Sequence, residues 1–337
     1  MKNKSSINEK RLLSLIVAGV LITALFVWPS NYLLVSPGSA HRLAPMIEIE
    51  EGAITYPVEG EIMLTSVAMK RTVLIEAIYI GLFKPDLVEL RSRNNLPSGV
   101  DMQEYFELMQ DMMKESQMKA TAVALERAGY ETKVTGQGAK IVKVLEDSDA
   151  YDKLQVDDII IAIDDQPVHL VSEVINKVQV RELGAEVKVT VKRNGEEKDY
   201  LIETKVVEEG PPKPSIGVLI TPYKRDYELP IETNIEAGRI GGPSAGSMFT
   251  LEIYNRLTEE DLTEDVQIAG TGTISLEGKV GKIDGVRQKI AAAKEEGADV
   301  FFVPAGNQQE VEGLEKEEIE VVIVEDIDQI ISYLEGI

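Results

Sequence analysis

The five residues Gly242-Pro243-Ser244-Ala245-Gly246 constrain the fold more than any other feature, because both histidines, His41 and His169, precede them. Read as G-x-S-x-G, they fit the strand-to-helix elbow that holds the serine of an α/β-hydrolase, where the acid and the histidine follow the serine in the chain. No histidine follows Ser244, and residues 236–242 lack the pattern of a buried strand. A Ser-acid-His triad in that order is therefore excluded. If Ser244 is a nucleophile, its proton goes to a lysine, a carboxylate or water, and lysine is the base best attested for serines without histidine. The plainer reading of Ser244 is a helix N-cap, whose hydroxyl accepts from the free amides of the first turn.

The chain has 337 residues, 44% of them hydrophobic, enough for two or three domains with substantial cores. A formal charge of -23 argues against a nucleic-acid partner, since phosphate neutralisation needs clustered Lys and Arg. With no cysteine there is neither a disulfide framework nor a thiolate metal site, and no metal or other cofactor is expected. Lys2, Lys4, Lys10 and Arg11 precede an apolar run over residues 12–28, followed by Pro29 and an apolar cluster at 32–35. About 17 to 20 apolar residues can span a bilayer. The expectation is a cytoplasmic segment 1–11, a single transmembrane helix within 12–35 and an extracellular remainder, by the positive-inside rule. The alternative is a cleaved signal peptide, for which Pro37-Gly38-Ser39-Ala40 offers small residues near a cut.

Beyond the anchor, residues 60–68 and 73–82 read as two strands, the first by alternation of Ile62, Leu64, Ser66 and Ala68. Residues 102–127 read as a helix with a methionine-rich stripe including Met109, Met112 and Met113, a pattern more often core packing than a ligand site. From 130 to 207 short strands alternate with turn signals, with Asn194-Gly195 a strong hairpin turn and a helix near 170–179. This order, with its Val156-Asp157-Asp158-Ile159-Ile160 run, resembles a PDZ domain of the kind appended to bacterial proteases. The resemblance implies a loop, here Gly136, Gln137, Gly138 and Ala139 leading into Lys140 and Ile141, to which a peptide adds as a strand. The plainer reading is a small β-rich domain whose glycines only make a turn. His169 reads as surface or packing. Pro211-Pro212-Lys213-Pro214 makes a stiff connection into a last segment where strands at 216–220, 266–269, 300–303 and 320–324 alternate with helices at 244–257, 284–296 and 326–334.

A base for Ser244 should be a desolvated lysine downstream. In the helix after Asp284, Lys289 lies within about 60° of the apolar stripe of Val286, Ile290 and Ala293, at about 100° per residue. No acid sits one turn away, but Lys294 has nearly as apolar a set of neighbours, so helical geometry leaves both open. Taken alone, Lys289 would also pass for a surface lysine with a snorkelling stem.

The motif at 242–246, the run Ala269-Gly270-Thr271-Gly272-Thr273, the run Ile283-Asp284-Gly285-Val286-Arg287-Gln288-Lys289 and Val303-Pro304-Ala305-Gly306-Asn307 together resemble the proteolytic domain of Lon proteases in order and spacing. That resemblance implies a Ser-Lys pair at Ser244 and Lys289, supported by Thr271. Residues 113–122 resemble a helix near the start of the same domain, which would make the PDZ domain an insertion, with residues 60–127 forming the first portion of the protease. Two departures stand out. The acid that many Lon enzymes carry three positions before the serine is Gly241 here, and there is no G-x-x-x-x-G-K-[ST] phosphate loop, so no nucleotide partner is expected.

The expected fold class is a mixed α/β, α+β-type Lon proteolytic domain (208–337) with a small β-rich PDZ domain (129–207), an N-terminal extracellular segment (36–128) and one N-terminal transmembrane helix. The expected function is ATP-independent serine endopeptidase activity on flexible secreted peptides or membrane-protein tails outside the cell membrane, with the PDZ domain binding substrate and homo-oligomers an option. The alternative is a catalytically inactive, membrane-anchored PDZ scaffold.

Overall fold

The computed structural model describes residues 2–93, 102–206, 213–313 and 319–336. The chain divides into two compact units, one built from residues 1–131 and 230–337, the other from the residues between.

The first unit opens with α1 (Lys2–Val27) and β1 (Pro29–Arg42), which pairs antiparallel with β2 (Glu61–Val73). Among the described residues no helix is long and apolar enough to cross a membrane, which corrects the expected transmembrane helix. The physical reason is length. The charges at Lys10 and Arg11 leave 12–27 as the uncharged part of α1, about 24 Å at 1.5 Å per residue against a hydrocarbon core of about 30 Å, and the apolar cluster at 32–35 is spent in β1. Residues 73–82, expected as a strand, form α2 (Leu74–Phe83) instead. Local caps decide this. Glu76 folds back to accept from the Val73 amide at 3.2 Å, and Lys84, at φ +42°, closes the last turn by donating to the Ile80 carbonyl. β3 (Glu89–Ser92) pairs with β1, and α3 (Met102–Arg127) follows. Met113, Ala120, Val123 and Leu125 of α3 are buried while Met112 is exposed, so the stripe serves packing along most of its length.

The second unit contains β4 (Lys133–Thr135), β5 (Ala139–Val144), β6 (Ile159–Ile163), α4 (Val171–Gln179), β7 (Glu186–Arg193), β8 (Glu196–Glu203), β9 (Val218–Pro222) and β10 (Asp226–Glu228). Asn194 and Gly195 both take positive φ, 53° and 88°, as a two-residue turn between β7 and β8 requires. The main sheet runs β8-β7-β6-β5-β9 around a core that includes Ile141, Ile160, Val189 and Val191. The strand expected at 216–220 as part of the last domain is thus β9 of this unit, because its apolar side chains Val218 and Ile220 pack against the second unit's core. Part of the Pro-rich connection at 211–214 lies outside the described residues.

The chain re-enters the first unit through α5 (Gly246–Leu257), β11 (Gln267–Gly270), α6 (Val286–Glu295), β12 (Val300–Pro304), β13 (Glu320–Val324) and α7 (Ile327–Leu334). The sheet order is β13-β12-β11-β2-β1-β3, parallel from β13 to β2 and antiparallel beyond. Strand alternation sends Met63, Ala269, Phe301 and Val303 into a core shared with Val286, Ile290 and Ala293 of α6. The opposite face meets α5 and α7: Met248 sulfur lies 2.6 Å from where a Cβ on Gly270 would be, and Phe302 packs edge-on against Tyr333.

Candidate active site

Helices on the two faces of the first sheet meet at the C-terminal end of β11. Ser244 sits just before α5 on one face, Lys289 is in the first turns of α6 on the other, and Thr271 follows β11 between them. Lys289 Nζ lies 2.7 Å from Ser244 Oγ and 2.8 Å from Thr271 Oγ1. The Thr271 hydroxyl donates its own proton to the Ser244 carbonyl at 2.9 Å, so it is left to accept from the lysine. The Gly272 amide donates to the same carbonyl at 2.8 Å, and Thr271 is itself pinned by its amide to the Phe302 carbonyl.

Lys289 is 2% exposed. Burial pushes its pKa down from 10.5 to about 7, against a smaller upward pull from Asp284. Asp284 is engaged by Arg91 at 2.8 Å. A shift of that size corresponds to roughly 5 kcal/mol against the charged form. About half the amines are then neutral at pH 7, against about one in three thousand for an unshifted lysine. Such an amine can take a proton from a hydroxyl in contact with it. Lys294, left open by helical geometry, is only half-buried.

The loop carrying Ser244 is held by α3. The Gly242 amide donates to the Met109 carbonyl, Gln110 donates to the Ile240 carbonyl at 3.2 Å, and Ser116 donates to the Pro243 carbonyl at 3.1 Å. Gly242 takes φ +90° in this turn. A Cβ on Gly241 would lie 3.0 Å from the Met109 Cβ, so the close packing of α3 leaves that position little room for an acidic side chain. Ser244 is not the N-cap, which is Ala245 and makes no side-chain cap. Beside the loop, Met69, Met102, Phe106, Gln110 and Lys114 line a cleft of about 640 Å³ between β2 and α3.

Residues 229–335 match the Lon protease (S16) C-terminal proteolytic domain. The chain carries a Lon-type proteolytic domain. Residues 122–204 match the PDZ domain. The Lon protease of Trichlorobacter lovleyi is 34% identical over 110 residues, 31% of this chain and 13% of that protein. The Lon protease of Metamycoplasma arthritidis is 38% identical over 115 residues, 32% of this chain and 14% of that protein. Among solved structures, the PDZ domain of an SdrC-like protein from Listeria monocytogenes is 27% identical, covers 26% of this chain and 93% of its own, and superposes with a TM-score of 0.24. The match to the Lon-type domain begins at 229, yet β1, β2 and α3, far earlier in the chain, complete its sheet and hold its serine loop.

The expected PDZ loop is not an open edge. β5 is flanked by β6 on one side and β9 on the other, with Ala139 opposite both Ile160 and Pro222, and Lys140 opposite both Ile159 and Thr221. The Gln137 amide donates to the Tyr223 carbonyl and that of Gly138 to the His169 carbonyl, while Ala139 and Ile141 are buried. Lys140 pairs with Asp157. Gly136 and Gly138 serve close approach, since a Cβ would meet the His169 or Ile160 carbonyl within 2.4 Å. One edge of this sheet is β9, with α4 packed beside it, and the other is β8. The signal missed was Ser215-Ile216-Gly217 before an apolar strand. Gly217 takes φ +74°, its amide donates to Ser215 Oγ, and a Cβ there would strike Ser148.

Proposed function

We propose that the chain is an ATP-independent serine endopeptidase using Ser244 as nucleophile and Lys289 as base. The observation that carries this is the 2.7 Å contact between the Ser244 hydroxyl and an amine whose pKa is drawn down to about 7. Neutral Lys289 takes the Ser244 proton as the oxygen attacks the peptide carbonyl, and the resulting ammonium then gives a proton to the departing amine. Water reverses the sequence, with Lys289 deprotonating it to release the acyl group. Thr271 positions Lys289 by accepting one of its protons. The amides of Ser244 and Ala245 are the donors best placed for the oxyanion, since those of Gly246 and Ser247 are already given to Pro243 and Gly272 carbonyls.

The cleft between β2 and α3, lined by Met69, Met102 and Phe106 together with Arg71, Glu107 and Lys114, would take a mixed apolar and charged stretch of substrate. Peptide capture in the second unit goes to the edge of β9, where a strand can add beside α4. The sequence contains no phosphate loop, so substrates are flexible chains that need no powered unfolding. The exposed apolar side chains of α1, such as Leu15, Val20 and Phe26, suit contact with lipid, which supports association of the molecule with a membrane surface through α1.

Cleavage of an unstructured peptide by the purified chain, compared with Ser244→Ala and Lys289→Ala, tests the reading. Both variants should lose activity by at least about a thousandfold, the scale on which a serine nucleophile and its base act together, while each keeps a cooperative unfolding transition. Equal cleavage by all three would assign the activity elsewhere, and no cleavage by the parent chain would favour a scaffold.

A further inference from the structure

We propose that α2 is a second lipid-contacting element, lying in the bilayer interface beside the C-terminal end of α1. The proposal rests on the membrane reading of α1 given above and adds a site to it. Of the ten residues of α2 only Glu76 is charged, and Glu76 is turned back to Lys70 and the Val73 amide. A helix apolar on all sides is expected to have all sides covered. One side of α2 is covered: Leu74, Ile75, Ala77 and Ile80 are half-buried where the helix meets β1, β2 and β3. The other side is bare. Ile78, Tyr79, Leu82 and Phe83 share a helix face at the spacing i, i+1, i+4 and i+5, and Leu82 and Phe83 are 74% and 69% exposed.

Position selects lipid as the occupant. The Leu74 amide donates to the Trp28 carbonyl at 3.1 Å, so α2 starts at the last turn of α1 and at the same depth. α1 and α2 also pack together, which makes the bare face of α2 continuous with the exposed apolar surface of Phe26, Val27 and Trp28. The residues at this level are those that bilayer interfaces favour: the rings of Trp28, Tyr79 and Phe83, with the Tyr79 and Phe83 rings in contact at 4.9 Å and tilted by 34°. Arg71 and Lys84 flank the helix, Lys70 being paired with Glu76, and offer cations at the level of the headgroups with Asp86 the acid beside them. A helix of this length, roughly 15 Å, is too short to span and suited to lying in the interface.

The test uses the full chain in vesicles of phosphatidylcholine and phosphatidylglycerol carrying lipids brominated near the headgroup. Trp28 is the sole tryptophan, so its quenching reports α1, while the doubly substituted W28F/F83W chain reports α2. The expected result is a loss of emission of about twofold or more for both proteins, with the F83W signal shifted to the blue, as for a ring at the interface. Quenching of Trp28 without quenching of the F83W signal overturns the proposal while leaving α1 in the membrane. A blue-shifted but unquenched F83W signal also overturns it, by showing α2 covered by a second copy. Quenching of neither removes the membrane reading and this proposal together. Should F83W not fold, the absence of native cysteine makes L82C a unique spin-label site. Its label should then be more accessible to oxygen than to a polar nickel chelate, and the reverse order rules α2 out of the interface.

Discussion

Lys289 and Glu252 are both buried ionisable side chains shifted to about 7 from opposite directions, and their pH signatures differ accordingly. Lys289 works as a base only when neutral, so peptide cleavage should rise with pH through about 7 and level off above it; a rate that is flat from pH 6 to 9 would assign the base elsewhere. Its folded pKa lies below its unfolded value of 10.5, so the unfolded chain holds the extra proton between the two. Its contribution to stability is therefore present above 10.5 and lost as pH falls through 7. Glu252, on α5 and 1% exposed, has Oε1 without a partner, and burial raises its pKa from 4.5 to about 7. The folded state keeps that proton where the unfolded state has lost it. Its contribution is thus present below 4.5 and lost as pH rises through 7. Glu252→Gln removes this dependence. Urea unfolding should show the variant gaining on the parent chain by on the order of 3 kcal/mol between pH 4.5 and 8, whatever its offset at low pH. The sequence shows a glutamate mid-helix but not that its neighbours exclude water.

At the scale of elements, the second unit turns on the pair Asp158 and Arg193. Asp158, 1% exposed, accepts from Arg193 Nε at 2.7 Å and Nη2 at 2.6 Å, and also from the Gln155 amide, while the guanidinium lies over Tyr200 and donates to the Lys153 carbonyl. The acid runs that mark this domain in sequence are thus part of its framework. Asp158→Ala, leaving the half-buried Arg193 without its carboxylate and the Gln155 amide without its acceptor, should destabilise the second unit by about 1 to 3 kcal/mol, read as a lower urea midpoint. Most elements follow from local pattern: α3 by its stripe, β7 and β8 by Asn194-Gly195, β13 by its apolar run. α2 does not, because a short segment apolar at nearly every position carries no periodicity to separate strand from helix. β9 was legible as a strand but not as to which sheet it joins, since pairing partner is a property of the sheet edge it meets.

For the whole molecule, the second unit leaves and returns through neighbouring strands. Lys133 of β4 and Glu228 of β10 are direct partners across an antiparallel pair. Joining Glu131 to Pro230 by a short glycine-serine linker should therefore leave the first unit folded and still able to cleave a short unstructured peptide at a rate within about threefold of the parent, since inserted domains sit at close-lying termini. Loss of cooperative unfolding in that variant would show that the units depend on each other. The sequence alone established that a serine at 244 has no histidine after it to serve as base, that the chain holds two kinds of domain texture, and where most helices lie, because these are carried by residue type and local period. Helical geometry left Lys289 and Lys294 open and the resemblance pointed to Lys289; only the tertiary structure put its amine on the Ser244 hydroxyl, completed the Lon-type sheet with strands from the first ninety-two residues and closed the expected peptide edge with β9. Those outcomes depend on contacts between segments far apart in the chain, and desolvation, sheet-edge pairing and loop support exist only once the segments are packed together.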